Sequence, residues 1–339
     1  MPVKAAARWT LATALMLASL WVAGLLFYQL PLRPLLAGAA AVVWLVIAVG
    51  MAVAVGRGRA GRRVAAAFSL GFLAAAVAWV SLEPRQDRKW ADDVSQRLQV
   101  VSFDGRHVVL DNVRDFTWRT EQDYDARWVR RQYDLDQLRS ADLVLSYWMG
   151  PAIAHTLVSF GFDDGRHLVF SVEIRKEQGE SFSALGGFFR KFEMTLVAAE
   201  ESDIIRTRTN ARGEDVYLYR LSALDRPRLR ALFSGYLQQA RALDAAPAFY
   251  NTLTSNCTTI VFDLARQIEP GLPMDYRLLL SGYLDGYAHD QHALVPGVPL
   301  QTLKARGRIT ARALQPQAAQ DYSRWVRRGI PGMQAEAAP

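Results

Sequence analysis

The chain of 339 residues has one cysteine and five histidines. A single cysteine excludes an intramolecular disulfide framework, so the thiol of Cys257 needs another explanation. The sequence also lacks a glycine-rich phosphate-binding loop and any cluster of residues at metal-ligand spacing. It therefore predicts neither a cofactor nor a metal.

Charged residues are almost absent from residues 9–82, apart from one short basic cluster. The formal net charge of +7 by itself would be compatible with nucleic-acid binding. Residues 1–83, however, contain seven basic residues and one acidic residue, which leaves 33 basic and 32 acidic residues for the remainder. Because the remainder is nearly neutral, we exclude nucleic acid as a partner and interpret the basic excess as a signal of membrane topology.

Three segments are long and apolar enough to cross a hydrocarbon core of about 30 Å, which takes roughly 20 helical residues. They are Trp9–Tyr28, Leu35–Val55 and Val64–Leu82. A cleaved signal peptide is disfavoured because the first run is long and two more follow, and a buried soluble bundle is disfavoured because no polar face interrupts the runs. The sequence therefore predicts a three-helix transmembrane anchor over residues 1–83.

The distribution of arginine and lysine predicts the orientation of these spans. The N-terminus and the loop 57–63 are basic and prefer the cytoplasm, whereas the loop 31–34 has only Arg33. With an odd number of spans, the chain after Glu83 emerges on the outer side. We expect a multi-pass protein of the inner (cytoplasmic) membrane, in contact with its lipids and with an exported C-terminal domain.

The exported part is organised as a linker, one α+β domain and a tail. Residues 84–98 are predicted to be a charged linker, residues 99–330 the domain, and residues 331–339 a disordered tail. Strand patterns cover Val100–Phe103, His107–Asn112, Phe116–Arg119, Trp128–Asp134, Ala141–Met149, Ile153–Phe162, His167–Arg175, Met194–Ala199 and Asp215–Leu221. Helices are predicted over residues 181–193, Arg226–Ala242 and Cys257–Gln267.

The clearest hairpin joins Ile153–Phe162 to His167–Arg175 through Asp163-Asp164-Gly165. If the loop has three residues and its glycine is left-handed, His155 falls opposite Glu173. A two-residue turn would shift the register by one and send Glu173 to the other face of the sheet. We favour the three-residue loop.

The cysteine lies where a polar stretch passes directly into an apolar helical pattern. Asn256 is a favoured N-cap type, which places Cys257 at the first helical position. The free backbone N–H groups and the helix dipole would stabilise a thiolate there and lower its pKa, and the same groups could hold an oxyanion. The alternative is that Cys257 is a small buried hydrophobe.

A cysteine nucleophile needs a base within hydrogen-bond reach, and this base is usually histidine. His155 lies inside an apolar strand, where burying an unpaired imidazole is costly, and Glu173 would orient the ring and fix its tautomer. The alternative is a structural histidine bonded to a backbone carbonyl. The other four are predicted beside turns and solvated (His107, His167) or in a loop-rich region after the cysteine (His289, His292).

Four segments of the exported part occur in a recognisable order: Asn112-Val113-Arg114-Asp115-Phe116; Ser146-Tyr147-Trp148 with Ala154-His155-Thr156; Ser171-Val172-Glu173-Ile174-Arg175-Lys176-Glu177; and Asn256-Cys257-Thr258-Thr259. In this order they resemble the family of bacterial membrane proteins that have a Lnb N-terminal periplasmic domain, formerly a domain of unknown function. The resemblance extends from about residue 88 to about residue 310.

The founding member of that family is a lipoprotein intramolecular transacylase, which moves an acyl chain from the glyceryl moiety of a diacylated lipoprotein to its N-terminal amine. The resemblance implies that Cys257 is the nucleophile and His155 its base. It also implies a papain-like fold of the circularly permuted NlpC type, in which the cysteine opens a helix packed on a sheet that bears the histidine. We expect that sheet to be antiparallel.

We therefore expect a membrane-anchored periplasmic thiol acyltransferase or hydrolase that acts on lipoproteins or other acylated substrates. Glu173 would orient His155, and the residues expected to support the oxyanion beside the Cys257 amide are Asn256, Tyr147 and Thr258. One alternative is a cysteine peptidase or amidase that acts on cell-wall peptide. Another is a non-catalytic envelope protein, in which Cys257 is buried far from His155.

Overall fold

The computed structural model describes residues 2–333, which form two compact units. One unit comprises the chain up to Arg85 together with residues 183–192, and the other comprises residues 86–182 and the chain from Glu193. Met333 is buried, so the packed chain extends into the predicted tail. Residues 334–339 of that tail lie outside the described residues.

The N-terminal unit contains three long helices, α1 (Pro2–Gln29), α2 (Pro34–Gly56) and α3 (Arg62–Val80). Each is long and apolar enough to span a membrane, as predicted. Proline begins α2, where its missing N–H leaves no helical hydrogen bond unmade. Trp44 of α2 stacks on Phe68 of α3 and meets Phe72 edge-on, so aromatic rings pack these two helices together.

The second unit is built on an eight-stranded sheet in the order β1-β2-β9-β8-β7-β6-β10, with β5 also paired to β2. A separate two-stranded sheet pairs β3 with β4. The strands are β1 (Gln99–Phe103), β2 (His107–Arg114), β3 (Thr117–Trp118), β4 (Tyr124–Asp125), β5 (Trp128–Asp134), β6 (Leu138–Tyr147), β7 (Ala154–Phe162), β8 (His167–Arg175), β9 (Glu193–Glu200) and β10 (Asp215–Arg220).

The expectation of an antiparallel sheet needs one correction. Among the described residues, β2 and β9 pair in parallel at Arg114 and Ala199, whereas the other strand pairs are antiparallel. These two strands are distant in sequence, so no hairpin forces them to run in opposite directions. The unit is therefore an α+β domain with a mixed sheet.

Helices of the second unit cover both faces of this sheet. They are α5 (Glu201–Arg206), α6 (Arg226–Ala245), α7 (Cys257–Ile268), α8 (Leu284–Asp290), α9 (Leu300–Gly307), α10 (Thr310–Ala313) and α11 (Tyr322–Val326). The short helix α4 (Ala184–Phe188) belongs to the first unit. Helix α5 continues into a π-helical turn, Thr207–Ala211.

One face of α6 is apolar and is buried against the sheet. Phe233 meets Phe160 and Phe170 edge-on, and Tyr236 stacks on Phe170 at a centroid distance of 4.7 Å. Helix α7 lies beside α6 and packs on β7 and β8. The opposite face of the sheet is covered by α5 and α11, where Leu157 is among the fully buried side chains.

Two segments differ from the sequence-based expectation. Much of the stretch predicted as a linker packs on the domain, because Trp90, Val94 and Leu98 are buried there. The helix predicted over residues 181–193 is limited to α4, since two adjacent glycines inside this short element weaken a longer helix.

A fully buried ion cluster ties the C-terminal end of the chain to the sheet. The Arg327 guanidinium donates to the Asp142 carboxylate on β6 at 2.8 Å and to the Glu201 carboxylate at the start of α5 at 2.7 Å. Burial would raise the pKa of Glu201, but the Arg327 charge outweighs it and lowers that pKa. Removing the cation would leave two carboxylates buried without it.

We predict that Arg327→Ala destabilises the domain by about 3–5 kcal/mol. For a domain of this size the loss corresponds to a decrease in Tm of roughly 6–20 °C, measured on the full-length protein in detergent. The matched control is Arg328→Ala, because Arg328 is exposed and only stacks on Trp325. Equal Tm values for the two variants would contradict a stabilising role of the cluster.

Candidate active site

The N-terminus of α7 holds the cysteine in the position predicted from the sequence. Asn256 is the N-cap, and its side-chain oxygen accepts hydrogen bonds from the backbone N–H groups of Thr258 and Thr259 at 2.9 and 3.0 Å. The Thr259 hydroxyl accepts the Asn256 N–H in return and completes a capping box. Cys257 is therefore the first residue of the helix, and it is only 7% exposed.

The β7–β8 hairpin has the register of the three-residue loop. Phe162 donates its N–H to the Arg166 carbonyl, Gly165 has a φ of +80°, and the ladder runs from Gly161 opposite His167 to Leu157 opposite Ser171. Continuing that register by two residues brings the side chains of β7 and β8 together at the site. The distance between the His155 Nε2 atom and the Glu173 Oε1 atom is 3.2 Å.

Ser171 links these two side chains, and sequence reasoning missed it. The His155 Nε2 atom lies 2.7 Å from the Ser171 hydroxyl, and that hydroxyl donates to the Glu173 carboxylate at 2.7 Å. Because the hydroxyl hydrogen is directed to the carboxylate, its oxygen is left to accept the Nε2–H. The pattern fixes the ring with its hydrogen on Nε2 and leaves Nδ1 as the other nitrogen.

Cys257 and His155 lie close enough for each to shift the pKa of the other. Burial raises the pKa of the Cys257 thiol, but the charge and hydrogen bond of His155 and the backbone N–H of Thr156 outweigh burial, so the pKa is lowered. The β7–β8 ladder stops at Leu157, so the neighbouring residue Thr156 is not part of it. The backbone N–H of Thr156 is directed to the Cys257 sulfur. The cysteine at the start of α7 thus lies beside strand β7 of the sheet.

The pKa of the His155 imidazole is raised, whereas that of the thiol is lowered. Burial by itself would lower the pKa of His155, but the Glu173 carboxylate outweighs it and raises the pKa to about 9. The pKa of Glu173 lies well below its ordinary value, because the charge of His155 outweighs the effect of burial. Both shifts are in the direction that favours a thiolate paired with an imidazolium.

A buried arginine, Arg208, also contacts Glu173, and no sequence pattern selected it. Arg208 donates to Glu173 at 3.0 Å and to Glu214 at 3.3 Å, and Glu214 also accepts a hydrogen bond from the Ser146 hydroxyl. Arg208 lies in the π-helical turn after α5, an irregularity that often marks functional sites. Its charge opposes that of the imidazolium and so limits the rise in the His155 pKa.

The three residues predicted to support an oxyanion, Asn256, Tyr147 and Thr258, make different contacts. Asn256 donates a side-chain N–H to the Thr252 carbonyl at 2.8 Å and caps α7 with its side-chain oxygen. The Tyr147 hydroxyl donates to the Gly282 carbonyl at 2.6 Å. The Thr258 hydroxyl lies 4.0 Å from the Cys257 sulfur and contacts the Thr156 hydroxyl.

Tyr250 is the aromatic side chain that contacts the cysteine, and the sequence did not single it out. Burial and the neighbouring Cys257 thiol raise the pKa of the Tyr250 hydroxyl, and they outweigh the backbone N–H of Cys257, which lowers it. The turn that brings it there is closed by two backbone hydrogen bonds of 3.0 Å between Asn251 and Ser255. This pairing across four residues is not a recognisable sequence pattern.

The remaining histidines have other surroundings. His289 bonds the Val298 carbonyl, and His107 is exposed beside Asp104 as predicted. His167, predicted to be solvated, is buried, with its ring bonded to the Gly165 carbonyl at 3.1 Å. The turn folds back over this ring, which is why a position next to a loop did not imply exposure.

The three apolar helices and the α+β domain define a membrane protein with a large domain outside its spans. Residues 124–282 match the family described as the Lnb N-terminal periplasmic domain, which confirms the resemblance. The match is shorter at both ends than the range predicted, and the segment Asn112–Phe116 falls outside it. No curated protein and no solved structure is detectably similar to the chain.

We predict that Cys257 is alkylated by iodoacetamide even at about pH 6, with a rate that falls as the pH decreases through its lowered pKa. In His155→Ala the favourable charge is gone and burial raises the thiol pKa. The rate at about pH 6 should then fall roughly tenfold for each pKa unit gained.

The control is His289→Ala, whose imidazole bonds a carbonyl elsewhere in the domain. Its rate should equal that of the unmodified protein. If His155→Ala keeps the full rate while His289→Ala loses it, the wrong histidine has been assigned to the thiol.

Proposed function

We propose that the protein is a thiol-dependent acyltransferase or hydrolase at the periplasmic face of the inner membrane, with Cys257 as nucleophile and His155 as its base. The observation that carries this proposal is the electrostatic pairing of these two buried side chains at the N-terminus of α7, where each favours the charged form of the other. A helix that begins at the cysteine and packs on the strand of the histidine is also what a papain-like arrangement requires.

In the proposed first step, the Cys257 thiolate attacks the carbonyl carbon of an ester, and the carbonyl π electrons move to oxygen. The Tyr250 hydroxyl, beside the thiol, is the donor proposed for this oxyanion, because the backbone N–H of Cys257 is directed at that hydroxyl. When the intermediate collapses, the alkoxide leaves with the proton of the His155 imidazolium. The products are an alcohol and an acyl thioester on Cys257.

In the second step, neutral His155 accepts a proton from the incoming amine or water as that group attacks the thioester. Collapse of the second intermediate releases the Cys257 thiolate and gives an amide or an acid. Glu173 and Ser171 hold the ring through Nε2, which leaves Nδ1 to serve the sulfur and the substrate. Arg208 holds Glu173 in place from behind.

An acyl substrate is supported by the membrane anchor and by an apolar cavity of about 310 Å³ next to α7. Thr258, the residue after the nucleophile, lines this cavity together with Val261, Phe262 and Ala265 of the same helix. Lipoproteins and other acylated lipids are the substrates that a site anchored at the outer surface of the inner membrane would meet. We propose that the N-terminus is cytoplasmic, as the basic residues indicate.

The second candidate is a cysteine peptidase or amidase acting on cell-wall peptide. It is favoured by a wider groove of about 770 Å³ whose lining includes Tyr147, Trp148 and Tyr217 with Asp215 and Lys304. Aromatic and charged side chains of this kind suit a polar polymer better than an acyl chain. The non-catalytic alternative required Cys257 to lie far from His155, and the contact between them argues against it.

We predict that lipoproteins from cells that express the protein have a relocated or missing acyl chain, as measured by mass spectrometry of their N-terminal peptides. Cys257→Ser should restore the pattern of cells that lack the gene, because the thioester can no longer form. His289→Ala, expressed at the same level, should behave like the unmodified protein.

Identical lipoprotein acylation in all these strains would contradict the lipoprotein assignment. If purified protein then cleaves cell-wall peptide and Cys257→Ser does not, the amidase alternative is correct.

A further inference from the structure

A short segment in the middle of the chain, Ser183–Phe192, belongs to the same compact unit as the membrane helices. The chain leaves β8, enters this segment and returns into β9. From Ser181 to Phe189 it has no charged residue, and Arg190 and Lys191 follow directly. We call Ser183–Phe192 the membrane loop.

The membrane loop is fixed to the end of α1 by Phe189. Its ring stacks on Tyr28 at a centroid distance of 5.6 Å, and its carbonyl accepts the Gln29 side-chain amide at 2.6 Å. The ring also lies against Gly24, where a Cβ atom would come within 2.2 Å of the ring. Only a glycine leaves room for this contact.

These contacts place the loop at hydrocarbon depth. Gly24 precedes the last residue of α1, Gln29, by five positions, which is about 7–8 Å along the helix axis. The Phe189 ring therefore lies below the end of the span. Arg190 marks the outer limit, since its guanidinium donates to the Trp79 carbonyl at 2.9 Å and lies over the Trp79 ring at the end of α3.

Two large apolar side chains of the same loop are at least partly exposed. Leu185 is 66% exposed and Phe188 is 38% exposed, and both belong to α4. The Phe188 ring meets that of Phe189 edge-on at a centroid distance of 5.2 Å, and Tyr28, on which Phe189 stacks, meets the exposed ring of Phe27. These rings connect the loop to the exposed apolar surface of α1. Arg190 and Lys191 follow Phe189 directly in the chain. Their hydrocarbon stems can lie in lipid while their charged ends reach the headgroups.

We propose that the membrane loop inserts Leu185 and Phe188 among the acyl chains of the outer leaflet, as a second membrane attachment in addition to the three spans. Its partner is the bilayer itself, because the loop is continuous with the lipid-facing surface of the spans. This attachment is independent of the chemistry proposed for Cys257.

The test uses full-length protein in nanodiscs of phosphatidylethanolamine and phosphatidylglycerol, in a Cys257→Ser background that has no other thiol. Leu185→Cys and Phe188→Cys are each labelled with an environment-sensitive fluorophore. Val46→Cys, on the lipid side of α2, is the positive control, and Val101→Cys, exposed on β1, is the aqueous control.

Both loop positions should be quenched several-fold more by lipids with nitroxide-labelled acyl chains than Val101→Cys, and should resist soluble iodide as Val46→Cys does. Quenching by iodide at either loop position, as at Val101→Cys, would overturn the proposal. Resistance to both quenchers would also overturn it, because protein and not lipid would then cover the loop.

Discussion

The proposed chemistry depends on one electrostatic pairing, between a thiol at the first turn of a helix and an imidazole on the adjacent strand. Thr156 lies next to the end of the β7–β8 ladder, and its backbone N–H also lowers the pKa of the thiol. Burial would neutralise both groups if either were alone. Paired, and with Glu173 on the far side of His155, the charged forms are the favoured ones.

The rest of the domain holds this contact in place from three directions. Asn256 fixes where α7 begins, and the aromatic packing of α6 on the sheet supports α7 from the side. On the opposite face, Arg208 joins Glu173 to Glu214 within a buried network. The fold is thus arranged so that a polar site lies inside a largely apolar core, where its charges are weakly screened.

What the sequence could predict was local. An N-cap next to an apolar helix located Cys257, and a three-residue loop set the register that pairs His155 with Glu173. Ser171 and Arg208 were missed because their roles depend on contacts between separate elements, and Tyr250 because its turn has no sequence signature. Tyr147 was expected to support the oxyanion, but its hydroxyl donates to the carbonyl of Gly282, which is far away in sequence. The long apolar runs predicted the spans well, whereas the membrane loop is too short to give such a signal.

The most direct measurement is the NMR titration of the His155 imidazole, identified by its loss in His155→Ala. The account predicts that the ring stays protonated well above neutral pH and titrates with a pKa of about 9, and that Cys257→Ser lowers this pKa because the thiolate no longer supports the imidazolium. A His155 pKa near the ordinary 6.5 that does not change when the thiol is removed would contradict the ion pair on which the proposed chemistry depends.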